Sequence, residues 1–206
     1  HVRSRRQRQM CIRDRETVAI IGESGAGKST LLHIMSCIDN FDGEYYLDNI
    51  DINKLSESKK SKLRSSKIGI VLQDFALIDD FTVFENVMTP LYFNKKIKDK
   101  KGSVMRALKK TGIASLKSKK VSQLSGGQKQ RVAISRALVT NPEYIFADEP
   151  TGSLDSKTSE EIVKMLFDLN RNGITIIIVT HNLEIANQCH HIIEIKDGNI
   201  IKDICS

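Results

Sequence analysis

Short β-branched runs alternate with stretches of helical spacing along most of this chain. Val18–Ile21 is continuously apolar and stops at Gly22, a pattern that predicts a buried strand entering a loop. Lys28 to about Cys37 places Leu31, Leu32, Ile34 and Met35 at helical intervals. Glu44–Ile52 alternates around Asp48-Asn49 and predicts a small β-ribbon. Ser56–Ser66 is polar and reads as a surface helix, and Ile68–Leu72 as a second buried strand.

The character changes after that strand. Helical patterns dominate from Thr82 to about Thr111, and a further helix over about Gly127–Val139 ends at the stop signal Asn141-Pro142. Strands return at Tyr144–Ala147, Thr175–Val179 and His191–Ile195, with a helix over Ser156–Asn170. Asp197-Gly198 or Gly198-Asn199 turns the chain into a last hairpin strand. Strands alternating with helices predict an α/β fold, a largely parallel sheet covered on both faces. The expected division is a basic segment at 1–15 and one domain at 16–206. Its core spans 16–80 and 140–206, and a helical subdomain is inserted at about 81–139. No internal repeat is visible.

Two stretches carry chemistry. Gly22-Glu23-Ser24-Gly25-Ala26-Gly27-Lys28-Ser29 satisfies GxxxxGK[ST] between a predicted strand and a predicted helix. Glycines there let backbone N–H groups turn inward as an anion nest, and the positive end of the following helix points at the same place. Lys28 is suited to bridging terminal phosphates and the Ser29 hydroxyl to ligating Mg²⁺. The second stretch, Tyr144–Ala147 followed by Asp148-Glu149-Pro150, is an apolar strand ending in two carboxylates. Successive strand residues face opposite ways, so the pair is expected to divide its roles, with Asp148 toward the Mg²⁺ shell and Glu149 toward an attacking water. Alone, that pair also suits an acidic strand end at a turn.

Together with Leu124-Ser125-Gly126-Gly127-Gln128 these residues resemble an ATP-binding cassette, the nucleotide-binding subunit of an ABC transporter. Leu124–Gln128 matches the family's LSGGQ signature. Gln73 matches its Q-loop, Ser153-Leu154-Asp155 its D-loop and His181 its switch histidine. All six motifs stand in the family's order, from about Glu16 to the C-terminus. The resemblance implies a phosphate-loop NTPase with a RecA-like core sheet, a small antiparallel β part, here truncated, and a helical subdomain. It implies an ATP hydrolase and a homodimer or cassette dimer holding two ATPs. Each ATP lies on one protomer's Gly22, Ser24, Gly25, Ala26, Gly27, Lys28, Ser29 and Thr30 and under the other's Ser125, Gly126, Gly127 and Gln128. Asp155 is implied to cross that interface. Glu149 corresponds to the general base, His181 to a γ-phosphate contact, and Gln73 to a sensor of Mg²⁺ and water, so that Ser29, Gln73 and Asp148 make up the metal set.

The resemblance further implies an integral-membrane permease as partner. Asp74-Phe75-Ala76-Leu77-Ile78 and Thr180-His181-Asn182 look like the group exporting lipoproteins, macrolides or antimicrobial peptides. Phe75–Ile78 suits either a groove for the permease's coupling helix or plain core packing. Localisation is expected on the inner face of the cell membrane, through that permease. A non-transport ABC ATPase and an inactive truncated fragment stand as alternatives.

Charge and composition alter this picture little. The net charge is +7, but residues 1–15 carry six arginines against Asp14 and account for +5, so nucleic acid is not an expected partner. That first segment shows neither helical nor strand periodicity and is expected to be disordered or foreign. It contains no tyrosine or phenylalanine, whereas the family places an adenine-stacking aromatic residue upstream of the phosphate loop. Lys95–Lys120 holds eleven Lys/Arg against Asp99, a solvated face or one beside an anionic leaflet. Four scattered cysteines suggest neither a zinc site nor a disulfide framework. His190 and His191 are read as ordinary residues at the start of a strand. No apolar run reaches the roughly 18–20 residues that span a bilayer, and residues 1–15 lack the apolar core of a signal peptide.

Overall fold

Each of the five β-branched runs becomes a strand of one sheet in the computed structural model, which describes residues 10–94 and 96–205. Residues 1–9 of the basic segment lie outside that range. In chain order the elements are β1 (Thr17–Ile21), α1 (Lys28–Met35), β2 (Tyr46–Leu47), β3 (Ile50–Asp51), α2 (Glu57–Lys67) and β4 (Ile68–Val71). There follow α3 (Val83–Phe93), α4 (Lys100–Lys110), α5 (Gly126–Leu138), β5 (Tyr144–Asp148) and α6 (Ser156–Arg171). The chain closes with β6 (Thr175–Val179), α7 (Leu183–Ala186), β7 (His191–Lys196) and β8 (Asn199–Cys205). The sheet order is β4-β5-β6-β1-β7-β8, parallel except for the β7–β8 hairpin.

The period of two along each strand splits the core in two. Ala19, Ile145, Ala147, Ile176 and Ile178 face α3, α4, α5 and α6. Val18, Ile20, Tyr144, Phe146, Ile177 and Val179 face α1, α2 and the β2–β3 ribbon. Both faces are therefore buried, which is why these strands read as unbroken apolar runs. The helices of 81–139 share the first cluster with the sheet, so they are fused to it through one continuous apolar layer.

Caps mark where the helices begin. Thr82 and Glu85 form a reciprocal capping box on α3, Asp99 caps α4, and Asp155 caps α6. The ribbon turns at Asp48 and Asn49, both at positive φ (50° and 61°), as a tight hairpin demands. Asp48 is tied to the sheet by the Tyr144 hydroxyl and by Lys67, whose Nζ also reaches Glu143 at 2.9 Å.

Residues 10–15 dock on the domain. Met10 and Ile12 pack against the second cluster, the Arg15 N–H donates to Thr175 Oγ1 at 2.8 Å, and the Arg15 carbonyl accepts from Asn170 Nδ2 at 2.8 Å. Among the described residues no helix is long and apolar enough to cross a membrane.

Candidate functional site

Parallel strands end together, and four of them deliver the predicted residues to one edge of the sheet. Register aligns Val71 with Ala147, Asp148 with Val179 and Val179 with Ile20. Gln73 after β4, Asp148-Glu149 at the end of β5, His181 after β6 and Gly22 after β1 therefore leave neighbouring strands side by side. At about 4.8 Å per strand, three intervals span roughly 14 Å. Ligands of open α/β sheets bind outside the carboxyl ends of the strands.

The loop after β1 is built for close backbone approach. A Cβ on Gly22 would lie 2.2 Å from the Ile195 carbonyl oxygen of β7, so only glycine fits there. Gly27 sits at φ 97° as the residue preceding α1 and, having no side chain, caps nothing. The first amides of α1 thus keep their donors free of side-chain caps, where α3, α4, α5 and α6 are each capped by an oxygen. Ala26 is buried in the core, and its carbonyl accepts from the Gly198 N–H at 3.1 Å, anchoring the loop. Lys28 Nζ donates to the carbonyls of Gly22 (2.9 Å) and Glu23 (2.8 Å), so the ammonium lies over the loop it belongs to. Ser24, Ser29 and Thr30 are exposed.

Beside this loop Glu149 and His181 form a pair. Glu149 Oε1 and His181 Nδ1 are 2.8 Å apart, with the carboxylate largely covered and the imidazole 74% exposed. Glu149 holds φ 43°, an unfavourable conformation for a non-glycine residue and more so before Pro150, and its N–H donates to the Val179 carbonyl at 2.9 Å. The buried Thr180 positions the histidine: its N–H donates to Ile20 O at 3.1 Å and its hydroxyl accepts from the Asn182 N–H at 3.0 Å. The Gln73 amide nitrogen comes within 3.6 Å of where a Cβ on Gly152 would stand, three residues beyond Glu149.

Ser125, Gly126, Gly127 and Gln128 gather elsewhere, with Asp155. Ser125 caps α5, accepting from the Gln128 N–H at 3.4 Å while Gln128 Oε1 accepts from the Ser125 N–H at 3.2 Å. Gln128 thereby spends its side chain within its own turn. Ser125 and Gly126 are exposed at the tip. A Cβ on Gly127 would lie 2.4 Å from Thr158 Cγ2 of α6, so this glycine is required by packing as well. Asp155 accepts from the N–H and hydroxyl of Thr158 (3.0 and 2.7 Å), and these bonds hold its carboxyl below the usual carboxylate range. The turn at 125–128 and the segment at 153–155 form one patch.

Long-range tethers from α5 escape a reading by sequence. Arg136 donates to the carbonyls of Phe75 (2.8 Å) and Ala76, two consecutive non-glycine residues at positive φ (62° and 44°). Gln130, almost wholly buried, donates from Nε2 to the Pro150 carbonyl at 2.7 Å. Of Phe75–Ile78, Phe75 and Leu77 pack on the main core while Ile78 stays exposed.

Comparison with known proteins follows the same lines. Residues 6–152 match the family described as "ABC transporter". The chain is 45% identical over 190 residues to an ABC transporter ATP-binding protein of Bacillus subtilis, YvrO, covering 91% of this chain and 83% of that one. It is 46% identical over 188 residues to the macrolide export ATP-binding/permease protein MacB of Mannheimia succiniciproducens, covering 90% of this chain but only 29% of MacB. Among solved structures, the dimeric post-hydrolysis state of the ATP-binding cassette MJ0796, bound to ADP and Pi, superposes with a TM-score of 0.87 at 42% identity, covering 95% of this chain and 88% of that one. MJ0796 comes from Methanocaldococcus jannaschii.

Proposed function

Because this chain belongs to the ABC transporter ATP-binding family, we propose that it is the ATP-hydrolysing subunit of a transporter, dimerising around two ATPs to drive a separate membrane permease. The observation that carries this reading is the carboxyl edge of the sheet, where an uncapped helix N-terminus and glycine loop stand beside the Glu149–His181 pair.

The triphosphate would lie along Gly22–Thr30, held by loop amides, by the N-terminus of α1 and by Lys28 once its ammonium exchanges loop carbonyls for phosphate oxygens. Glu149 is the group to take the proton of an attacking water. His181 orients that carboxylate through Nδ1 and presents Nε2 to the terminal phosphate. Ser29, Asp148 and Gln73 offer only oxygen donors, the hydroxyl, carboxylate and amide that suit a hard cation. Mg²⁺ held there would neutralise developing phosphate charge.

The exposed Ser125-Gly126 tip, at the start of α5, is a second anion-binding end. One chain supplies both ends, so a two-fold pair places each tip over the partner's phosphate loop. The dimeric MJ0796 structure with ADP and Pi supports this arrangement. The likeness to the macrolide export protein MacB supports a role in export; the cargo in this reading is a peptide, lipoprotein or hydrophobic compound, and a permease would hold the subunit at the cytoplasmic membrane face.

The test is ATP hydrolysis and self-association of wild type and Glu149→Gln. Loss of a general base costs about 10²–10⁴-fold in rate. Glu149→Gln should lose hydrolysis, retain nucleotide binding and accumulate as a dimer with ATP. Hydrolysis within twofold of wild type would remove Glu149 from the role, and a monomer with ATP in both proteins would remove the sandwich.

A further inference from the structure

His191, in sequence an ordinary residue at the start of a strand, is 1% exposed and its Nδ1 is buried without a hydrogen-bond partner among the described residues. Its other nitrogen, Nε2, is 2.5 Å from Asp203 Oδ1 on β8. Glu16 Oε2 lies 3.8 Å from Nδ1, too far for a hydrogen bond, and accepts from the Arg13 N–H at 2.9 Å. Cys205 is the register partner of His191 across the β7–β8 hairpin. An imidazole nitrogen, a carboxylate oxygen of Glu16 and Cys205 Sγ all lie within 4.8 Å of one another.

We propose that Glu16, His191 and Cys205 bind a borderline divalent transition-metal ion, zinc by preference, at the edge of the sheet away from the nucleotide loop. The donor set is nitrogen, oxygen and sulfur, which suits zinc and disfavours Mg²⁺ or Ca²⁺. Ligands about 2.0–2.3 Å from a tetrahedral zinc stand roughly 3.3–3.7 Å apart, so the three atoms need close by no more than about 1.5 Å. Asp203 on Nε2 fixes the tautomer that leaves the Nδ1 lone pair for the metal, the usual outer partner of a metal-bound histidine. Cys205 gives its proton to water on binding, and a water completes the fourth position. The ion would fasten β8, an edge strand, to the residue that leads into β1.

Cobalt(II) is the probe, added to the full chain, reduced, stripped of metal and free of nucleotide. One equivalent should give tetrahedral visible bands with a thiolate-to-cobalt band in the near ultraviolet, displaced by one equivalent of zinc. Cys205→Ser, an exposed change that leaves the core alone, should abolish the thiolate band and weaken binding at least tenfold. Glu16→Gln should weaken it similarly. Zinc should raise the thermal midpoint of wild type and not of Cys205→Ser. Absence of a thiolate band in wild type, its persistence in Cys205→Ser, or equal zinc shifts in both proteins would overturn the proposal.

Discussion

Arg136→Leu should uncouple the segment after β4 from α5. The guanidinium is half-buried, and that burial pulls its pKa below the ordinary arginine value while Asp74 opposes the shift. It donates to Phe75 O and Ala76 O, both on residues at positive φ. Each such residue stores about 1–3 kcal/mol of strain, so the pair holds about 2–6 kcal/mol that something must offset. A hydrogen bond from a charged group contributes about 1.5–3 kcal/mol net, and two of them supply about 3–6 kcal/mol. The two ranges overlap, so the Arg136 hydrogen bonds are large enough to offset the strain of this conformation. At the low end, losing 3 kcal/mol raises the open population of the segment roughly a hundredfold, since about 1.4 kcal/mol is tenfold. Hydrogen exchange resolved at residues 73–78 should show that acceleration, while amides of β5 and β6 keep their protection. ATP hydrolysis should fall with nucleotide affinity nearly unchanged, because Gln73 loses its position and the phosphate loop does not. Arg136→Lys should fall between, keeping the charge without the planar fork. Unchanged exchange at 73–78 in Arg136→Leu would refute the reasoning, whatever the activity.

Three further outcomes follow from the same structure. Gly127→Ala should lower stability by about 1–3 kcal/mol through its clash with Thr158 Cγ2, and Thr158→Ser, which removes that methyl and keeps the hydroxyl on Asp155, should recover most of the loss in thermal unfolding. A thiol reagent on the folded, metal-free protein should modify Cys11 and Cys205, both exposed, and spare Cys37 and Cys189, buried thiols whose pKa burial raises, that of Cys189 to about 12, with all four reacting in urea. The Asp155 carboxyl is held low by the side-chain and backbone bonds of Thr158. Its contribution is therefore present above the unfolded value and lost as pH falls through the lower folded value, so urea unfolding of Asp155→Asn and wild type should differ at pH 6 and converge toward pH 2.

The strands, and the placing of Gln73, Asp148, Glu149 and His181 at their carboxyl ends, are legible because their signals are local. Val18–Ile21 is apolar at every position because both faces of the sheet are covered, and Gly22 follows because Ile195 passes within contact of it. Helix starts were readable for the same reason: Ser156–Asn170 is preceded by Asp155, an oxygen that caps its first turn. What escaped depends on partners distant in sequence. Arg136 meets Phe75 and Ala76 across some sixty residues, and nothing around Arg136 marks it apart from other surface-spaced arginines. His191 looks polar in the chain, yet β1 and β8 flank it and bury it. The four-residue α7 was missed because one turn carries too few positions to show a period. Gln128 also has a local role that the motif does not mark: its side chain completes a capping box with Ser125.

The tethers also explain why Ser125–Gln128 sits at the start of this particular helix. Thirteen residues of α5 make a rod of about 20 Å. Its exposed N-terminal tip is the proposed anion-binding end, and the ties along its body include Gln130 to Pro150, Arg131 to Thr111 and Glu161, and Arg136 to Phe75 and Ala76. Pro150 adjoins Glu149, and Phe75 lies two residues past Gln73. A phosphate pulling on the tip therefore loads the carbonyl next to the proposed base and the segment next to the proposed cation ligand. Packing at Gly127 leaves no slack between the tip and α6, because Thr158 already fills the space a methyl would take. A helix held this way would move as a body, so under the proposed sandwich, engagement of the tip by a partner's nucleotide would reach Glu149 and Gln73 together, and hydrolysis would await the assembled dimer.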